Sequence, residues 1–157
     1  MKKATDDLLS AAELGDHDAL LNALREGADV VAKRATNHYT ALHWAAKCGR
    51  PDDIKELIKA GAPVDAAMEK TGVTPLIYAA SSGWDDCVPL LLAGGADVHL
   101  ATAKGNTALK AAQEKESKVD AEEKPRYAKK LKFLLEKGLI ALKHGKCLRA
   151  VLIMKKI

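Results

Sequence analysis

Apolar positions along the chain recur on two scales. At short range, Ile54, Leu57 and Ile58, then Val88, Leu91 and Leu92, then Leu131, Leu134 and Leu135 fall three and four residues apart. Such spacing places each set on one stripe of a helix. The runs that hold them, residues 52–61, 85–95 and 125–138, end in Gly61, Gly95 and Gly138, and glycine suits the left-handed residue just past a helix. At longer range, three blocks resemble one another: Tyr39-Thr40-Ala41-Leu42-His43-Trp44-Ala45-Ala46, Val73-Thr74-Pro75-Leu76-Ile77-Tyr78-Ala79-Ala80 and Asn106-Thr107-Ala108-Leu109-Lys110-Ala111-Ala112. Their threonines are 34 and then 33 residues apart.

Each block predicts a short first helix with Thr40, Thr74 or Thr107 capping its N-terminus. Pro75 falls in the first helical position, where a missing N–H costs nothing. Gly49 and Gly83 separate each first helix from the second. The extended stretches 62–65 and 96–100 lead into turns where Gly72 and Gly105 permit tight backbone angles. Ala45, Ala46, Ala79 and Ala80 are small enough to let neighbouring helices approach. No unit can bury its own apolar stripe, so stability has to come from stacking.

These blocks, with Gly27-Ala28-Asp29-Val30 and Gly95-Ala96-Asp97-Val98, resemble the ankyrin repeat over residues 4–138; its pattern, Thr-Pro-Leu-His-x-Ala and later Gly-Ala-Asp-Val, is met almost fully in the second and third units. The resemblance implies an all-α ankyrin-repeat solenoid of stacked helix–turn–helix units with short hairpin-like connecting turns. A domain over residues 1–138 divides into units at 4–35, 36–68, 69–101 and 102–138. The first unit lacks the Thr-Pro-Leu signature and reads as an N-terminal cap beginning at Asp6-Asp7-Leu8-Leu9, with the two aspartates set against the helix dipole. The fourth carries about ten extra, mostly charged residues near 114–124, expected as a longer first helix and a solvated connection. Residues 139–157 form a basic, apolar extension. Its Leu148, Val151 and Leu152 share a face if helical, and it is expected to cap the stack.

Charge changes this picture at one end. The net charge of +4 is the sum of −2 over residues 1–35, −3 over 36–100 and +9 over 101–157. The last third, with Tyr127 and Phe133 as its aromatics, raises electrostatic binding to nucleic acid or an anionic membrane as an alternative function. Its lysines alternate with glutamates, and arginine is scarce, which weighs against that alternative. The N-terminal residues 1–7 have no apolar core behind their lysines and do not read as a signal peptide. Cys48, Cys87 and Cys147 are odd in number and far apart, as free thiols in a reducing compartment would be.

No catalytic, cofactor-binding or metal-binding motif is present in the sequence. His43 takes the repeat's usual histidine place and is expected to hydrogen-bond the turn. Cys48 lies five residues from it, on another helical face, so the two do not make a nucleophile and base. The resemblance therefore implies a protein–protein interaction module (adaptor, scaffold or inhibitor), monomeric and cytoplasmic or also nuclear, with an unidentified protein partner on its concave face. Matching the motif residue by residue puts Thr36, Asn37, Tyr39, Lys70, Thr71, Val73, Ala103, Lys104 and Asn106 on the turn tips. The exposed first-helix ends are Glu13 and Leu14, Lys47 and Cys48, Ser81 and Ser82, and Glu114 and Lys115. Tyr39, beside Lys47 and Lys70, is the expected centre of the contact patch, and Trp84 is a further candidate anchor.

Overall fold

A computed structural model gives the fold of residues 2–118. Seven helices follow in order: α1 (Lys2–Leu14), α2 (His17–Arg25), α3 (Ala41–Cys48), α4 (Pro51–Lys59), α5 (Pro75–Ser82), α6 (Cys87–Ala93) and α7 (Ala108–Lys118). They sort into two layers. The first helices α1, α3, α5 and α7 pack on one another in chain order, and the second helices α2, α4 and α6 do the same. Each second helix also packs on the first helix of its own unit. The described residues are thus an all-α stack of helix pairs, with a single isolated bridge between Ala101 and Thr107.

The threonines start the first helices as the repeat spacing predicts. Thr40 accepts from the His43 N–H (3.3 Å), and the His43 ring takes the Thr40 N–H in return, closing a capping box. Thr74 accepts from Ile77 N (3.3 Å) and Thr107 from Lys110 N (3.3 Å). Pro75 lies in the first turn of α5. Gly49 and Gly83, at φ 70° and 84°, stop α3 and α5 in the left-handed conformation that a side chain resists.

The core runs along the stack between the layers. Leu8, Leu20, Leu42, Ile54, Leu57 and Leu91 are fully enclosed, and Ala12, Ala45, Ala46, Ala79 and Ala80 are buried among them. Removing any one of those large side chains to alanine costs about 2–5 kcal/mol. Polar ties hold within the first unit and between units as well. The Asp29 N–H donates to Thr5 Oγ1 (3.0 Å), Asp97 N–H to Asp65 Oδ1 (2.9 Å), and His17 Nδ1 meets the buried Asp53 at 2.6 Å.

Three boundaries differ from the sequence expectation. α1 begins at Lys2, because Ala4 is buried and extends the stripe by a turn, so its first turn contains no acidic residue and Asp6 and Asp7 lie beyond it. α4 begins one residue early, with Pro51 at its start, and α6 begins two residues late, after a turn through Asp85 and Asp86. α7 has 11 residues against 8 in α3 and α5. The second helix expected at 125–138, the rest of the insertion and the capping tail at 139–157 lie outside the described residues. Among the described residues no helix is long and apolar enough to cross a membrane.

Candidate functional site

Three hairpin-like turns join each second helix to the next first helix. Each is closed by a pair of backbone bonds: Arg34 N–H to the Tyr39 carbonyl (2.8 Å) with His38 N–H to Arg34 (2.8 Å), Met68 N–H to Val73 (3.0 Å) with Gly72 N–H to Met68 (2.7 Å), and Thr102 N–H to Asn106 (3.0 Å) with Gly105 N–H to Thr102 (2.8 Å). Each passes through one left-handed residue, His38 (φ 60°), Gly72 (φ 67°) or Gly105 (φ 73°). The turns lie side by side. Ala103 N–H donates to the Thr71 carbonyl (2.9 Å), Lys33 Nζ to the Ala67 carbonyl (3.4 Å), and Glu69 pairs with Lys33 (3.8 Å) and His38 (3.6 Å).

Thr36, Lys70, Thr71, Ala103 and Lys104 are exposed on this row, as their motif places imply. Asn37, Val73 and Asn106 are half-buried and hold the turns. Asn37 Oδ1 accepts from Tyr39 N (3.1 Å), the Val73 carbonyl accepts from His43 Nε2 (3.2 Å), and Asn106 N–H donates to Thr102 Oγ1 (3.1 Å). On the first-helix ends, Glu13, Leu14, Lys47, Ser81, Glu114 and Lys115 are exposed, while Cys48 and Ser82 are half-buried.

Tyr39 departs from the expectation of an exposed centre: it is only 9% exposed. Its ring stacks on Trp44 (4.8 Å between centroids) and on Tyr78 (5.5 Å), and its hydroxyl hydrogen-bonds that of Tyr78. The physical reason is local. Tyr39 precedes the cap Thr40, and Trp44 is the fourth residue of the helix, so the two rings form a hydrophobic staple across the helix start. Lys47 covers the outer side of the cluster, with Nζ 5.1 Å from the Tyr39 centroid and 4.8 Å from that of Trp44. Burial, then the bond to Tyr39, push the Tyr78 phenol above its ordinary pKa.

A family model described as ankyrin repeats (three copies) matches residues 8–102 and again residues 49–143. The chain belongs to the ankyrin repeat family. Ankyrin repeats are generally protein–protein interaction modules, and the family is typically non-enzymatic. No curated protein matches the chain.

Trp84 has a structural part in this ankyrin stack. It is 38% exposed, but its indole N–H donates to the Lys47 carbonyl (2.9 Å), and a Cβ on Gly49 would overlap its ring. Arg50 repeats the device one unit earlier. Its guanidinium donates to the Ala12 and Glu13 carbonyls and lies where a Cβ on Gly15 would stand. In each case the residue after one unit's inter-helix glycine closes the C-terminus of the preceding unit's first helix. These are carbonyls that helix geometry leaves unpaired.

His43, His17 and Cys87 of this ankyrin chain are tied into the stack. His43 is fully buried, bridging Thr40 Oγ1 (2.8 Å) and the Val73 carbonyl (3.2 Å), and its burial lowers its pKa. His17 is raised, first by its hydrogen bond with Asp53. Burial, with Asp86 and Asp85 nearby, pushes the Cys87 thiol up to about 12, which leaves it protonated and unreactive. Among the described residues no group of His, Cys, Asp or Glu is arranged to hold a metal ion.

Proposed function

We propose that the chain binds a protein partner across the turn tips and the exposed ends of the first helices, acting as an adaptor, scaffold or inhibitor. One observation supports this reading: neighbouring turns are tied together by the Ala103–Thr71 backbone bond and by Lys33 on the Ala67 carbonyl, while Thr36, Lys70, Thr71 and Lys104 on the turns, and Lys47 and Ser81 on the first-helix ends, are exposed along the same side. A rigid row with free side chains binds with little ordering cost. The free thiols Cys48 and Cys87 suit a reducing compartment such as the cytoplasm or nucleus.

The test compares two variants of equal thermal stability in affinity capture from cell extract, with each captured protein then titrated against purified chain. One is Lys47→Ala/Thr71→Ala/Ser81→Ala on the proposed face, the other Lys55→Ala/Lys59→Ala on α4. A partner whose saturable binding is lost with the first and kept with the second supports the assignment. A partner lost only with the second places the interface on the helix layer opposite the tips and overturns it.

A further inference from the structure

The proposed face differs in charge from the rest of the described stack. The tips at 33–39, 67–73 and 101–106 contain four cations, Lys33, Arg34, Lys70 and Lys104, and one carboxylate, Glu69. The second-helix segments at 16–26, 50–60 and 84–94 contain eight acidic and four basic side chains, a net charge of −4. The stack is therefore basic along its tips and acidic along its second helices.

The carboxylates on the basic side are occupied. Glu69 pairs with Lys33 and His38, Glu13 pairs with Arg34 at 2.9 Å, and Glu114 is engaged as well. On α4, by contrast, Lys55 and Lys59 are paired with Asp52 (2.9 Å) and Glu56 (2.6 Å). Lys70 and Lys104 are exposed and lack a carboxylate at ion-pair distance among the described residues. Lys47 is exposed too, and the Tyr39 and Trp44 rings beneath hold its ammonium in place. A cation already ordered on aromatic faces loses less freedom when it takes an anion.

We propose that the partner meets this face with an extended acidic segment whose carboxylates pair with Lys47, Lys70 and Lys104. The proposal rests on the protein-binding reading above and adds the chemistry of the partner. Helices pack about 8–10 Å apart, so three successive tips span roughly 20 Å, which an extended chain rising ~3.3 Å per residue crosses in about six residues. A nucleic acid offers the same negative charge but fits less well. Binding of single strands relies on open aromatic faces for the bases, and here the Tyr39 ring is stacked on Trp44 and on Tyr78 and is buried.

The experiment is fluorescence anisotropy of a labelled Glu-rich peptide of about ten residues, long enough to cross all three tips, titrated with the full chain. The variants are Lys47→Glu/Lys70→Glu/Lys104→Glu and, since Lys47 also covers the aromatic cluster, Lys70→Glu/Lys104→Glu alone. Lys55→Glu/Lys59→Glu is the control, and thermal melts check that each variant is folded. Three surface pairs of ordinary strength predict about a tenfold loss of affinity in the triple variant. The proposal further expects a smaller loss in the double variant, no loss in the control, and binding of a Lys-rich peptide by the triple variant only. Peptide binding that the triple variant keeps would place it on the basic C-terminal third and overturn the inference. So would preference for an oligothymidylate of equal charge. A captured partner insensitive to the lysine reversals but lost with Thr71→Ala/Ser81→Ala would leave protein binding standing and remove the acidic segment.

Discussion

His38 holds a left-handed backbone angle in a turn whose counterparts one and two units on are Gly72 and Gly105. That conformation costs a side chain about 1–2 kcal/mol, and the 3.6 Å contact with Glu69 is too exposed to offset it. His38→Gly is therefore expected to stabilise the chain by roughly 0.5–1 kcal/mol in urea unfolding, after the greater chain entropy of glycine is allowed for. Tyr39 behaves in the opposite sense. Tyr39→Ala empties a stacked, hydrogen-bonded position and is expected to cost about 3–5 kcal/mol; a melting temperature equal to wild type would show the ring to be exposed after all. The two perturbed histidines carry opposite pH dependences. His43, lowered by burial, contributes stability that is complete above 6.5 and lost as pH falls through its folded pKa. His17, raised by Asp53, contributes stability that is complete below 6.5 and lost as pH rises through its folded pKa. NMR titration should give a midpoint below 6.5 for His43 and above it for His17. The sequence made the part of His43 legible, because its motif place is tied to the turn. It misplaced Tyr39, since a turn-tip position suggests exposure, although an aromatic just before the cap and another at the fourth helical residue are a staple signal that could have been used.

At the scale of elements, threonine caps, glycine stops and the three-and-four spacing located α3 to α7 except for their ends. The starts of α1 and α6 escaped because buried Ala4 lengthens one stripe and the turn through Asp85 and Asp86 shortens the other, effects of packing more than of propensity. The closure of one helix by the next unit was not legible at all. It joins residues 37 or 38 apart, and its two instances use unlike groups, a guanidinium and an indole. That closure separates two glycines of similar backbone angle. Gly49 (φ 70°) faces the Trp84 ring, whereas nothing lies near a Cβ built on Gly61 (φ 86°). Both alanine substitutions carry the left-handed penalty of about 1–2 kcal/mol, and only Gly49→Ala adds a clash. Gly49→Ala should unfold at lower denaturant than Gly61→Ala, and the difference should vanish in a Trp84→Ala background. A difference that persists there would mean the ring is not what Gly49 accommodates.

Across the whole molecule, the repeat pointed to helix pairs stacked in a line, because a unit with one apolar stripe has nowhere else to bury it, and the ankyrin resemblance added the row of hairpin-like turns. The opposition of charge between tips and second helices was not legible from the totals −2, −3 and +9. Linear sums mix residues that the stack sends to different sides, and the polarity emerges only when the tips are grouped across units. The lids made by Arg50 and Trp84 give this stack a direction. The ends of α1 and α3 are each finished by a residue that comes later in the chain, so the two termini are not equivalent when the protein is shortened. Deleting units from the front leaves Arg50 or Trp84 idle in water, at little cost to the helices that remain. Deleting them from the back strips the cover from the last surviving first helix, and fraying should begin at that newly bared end.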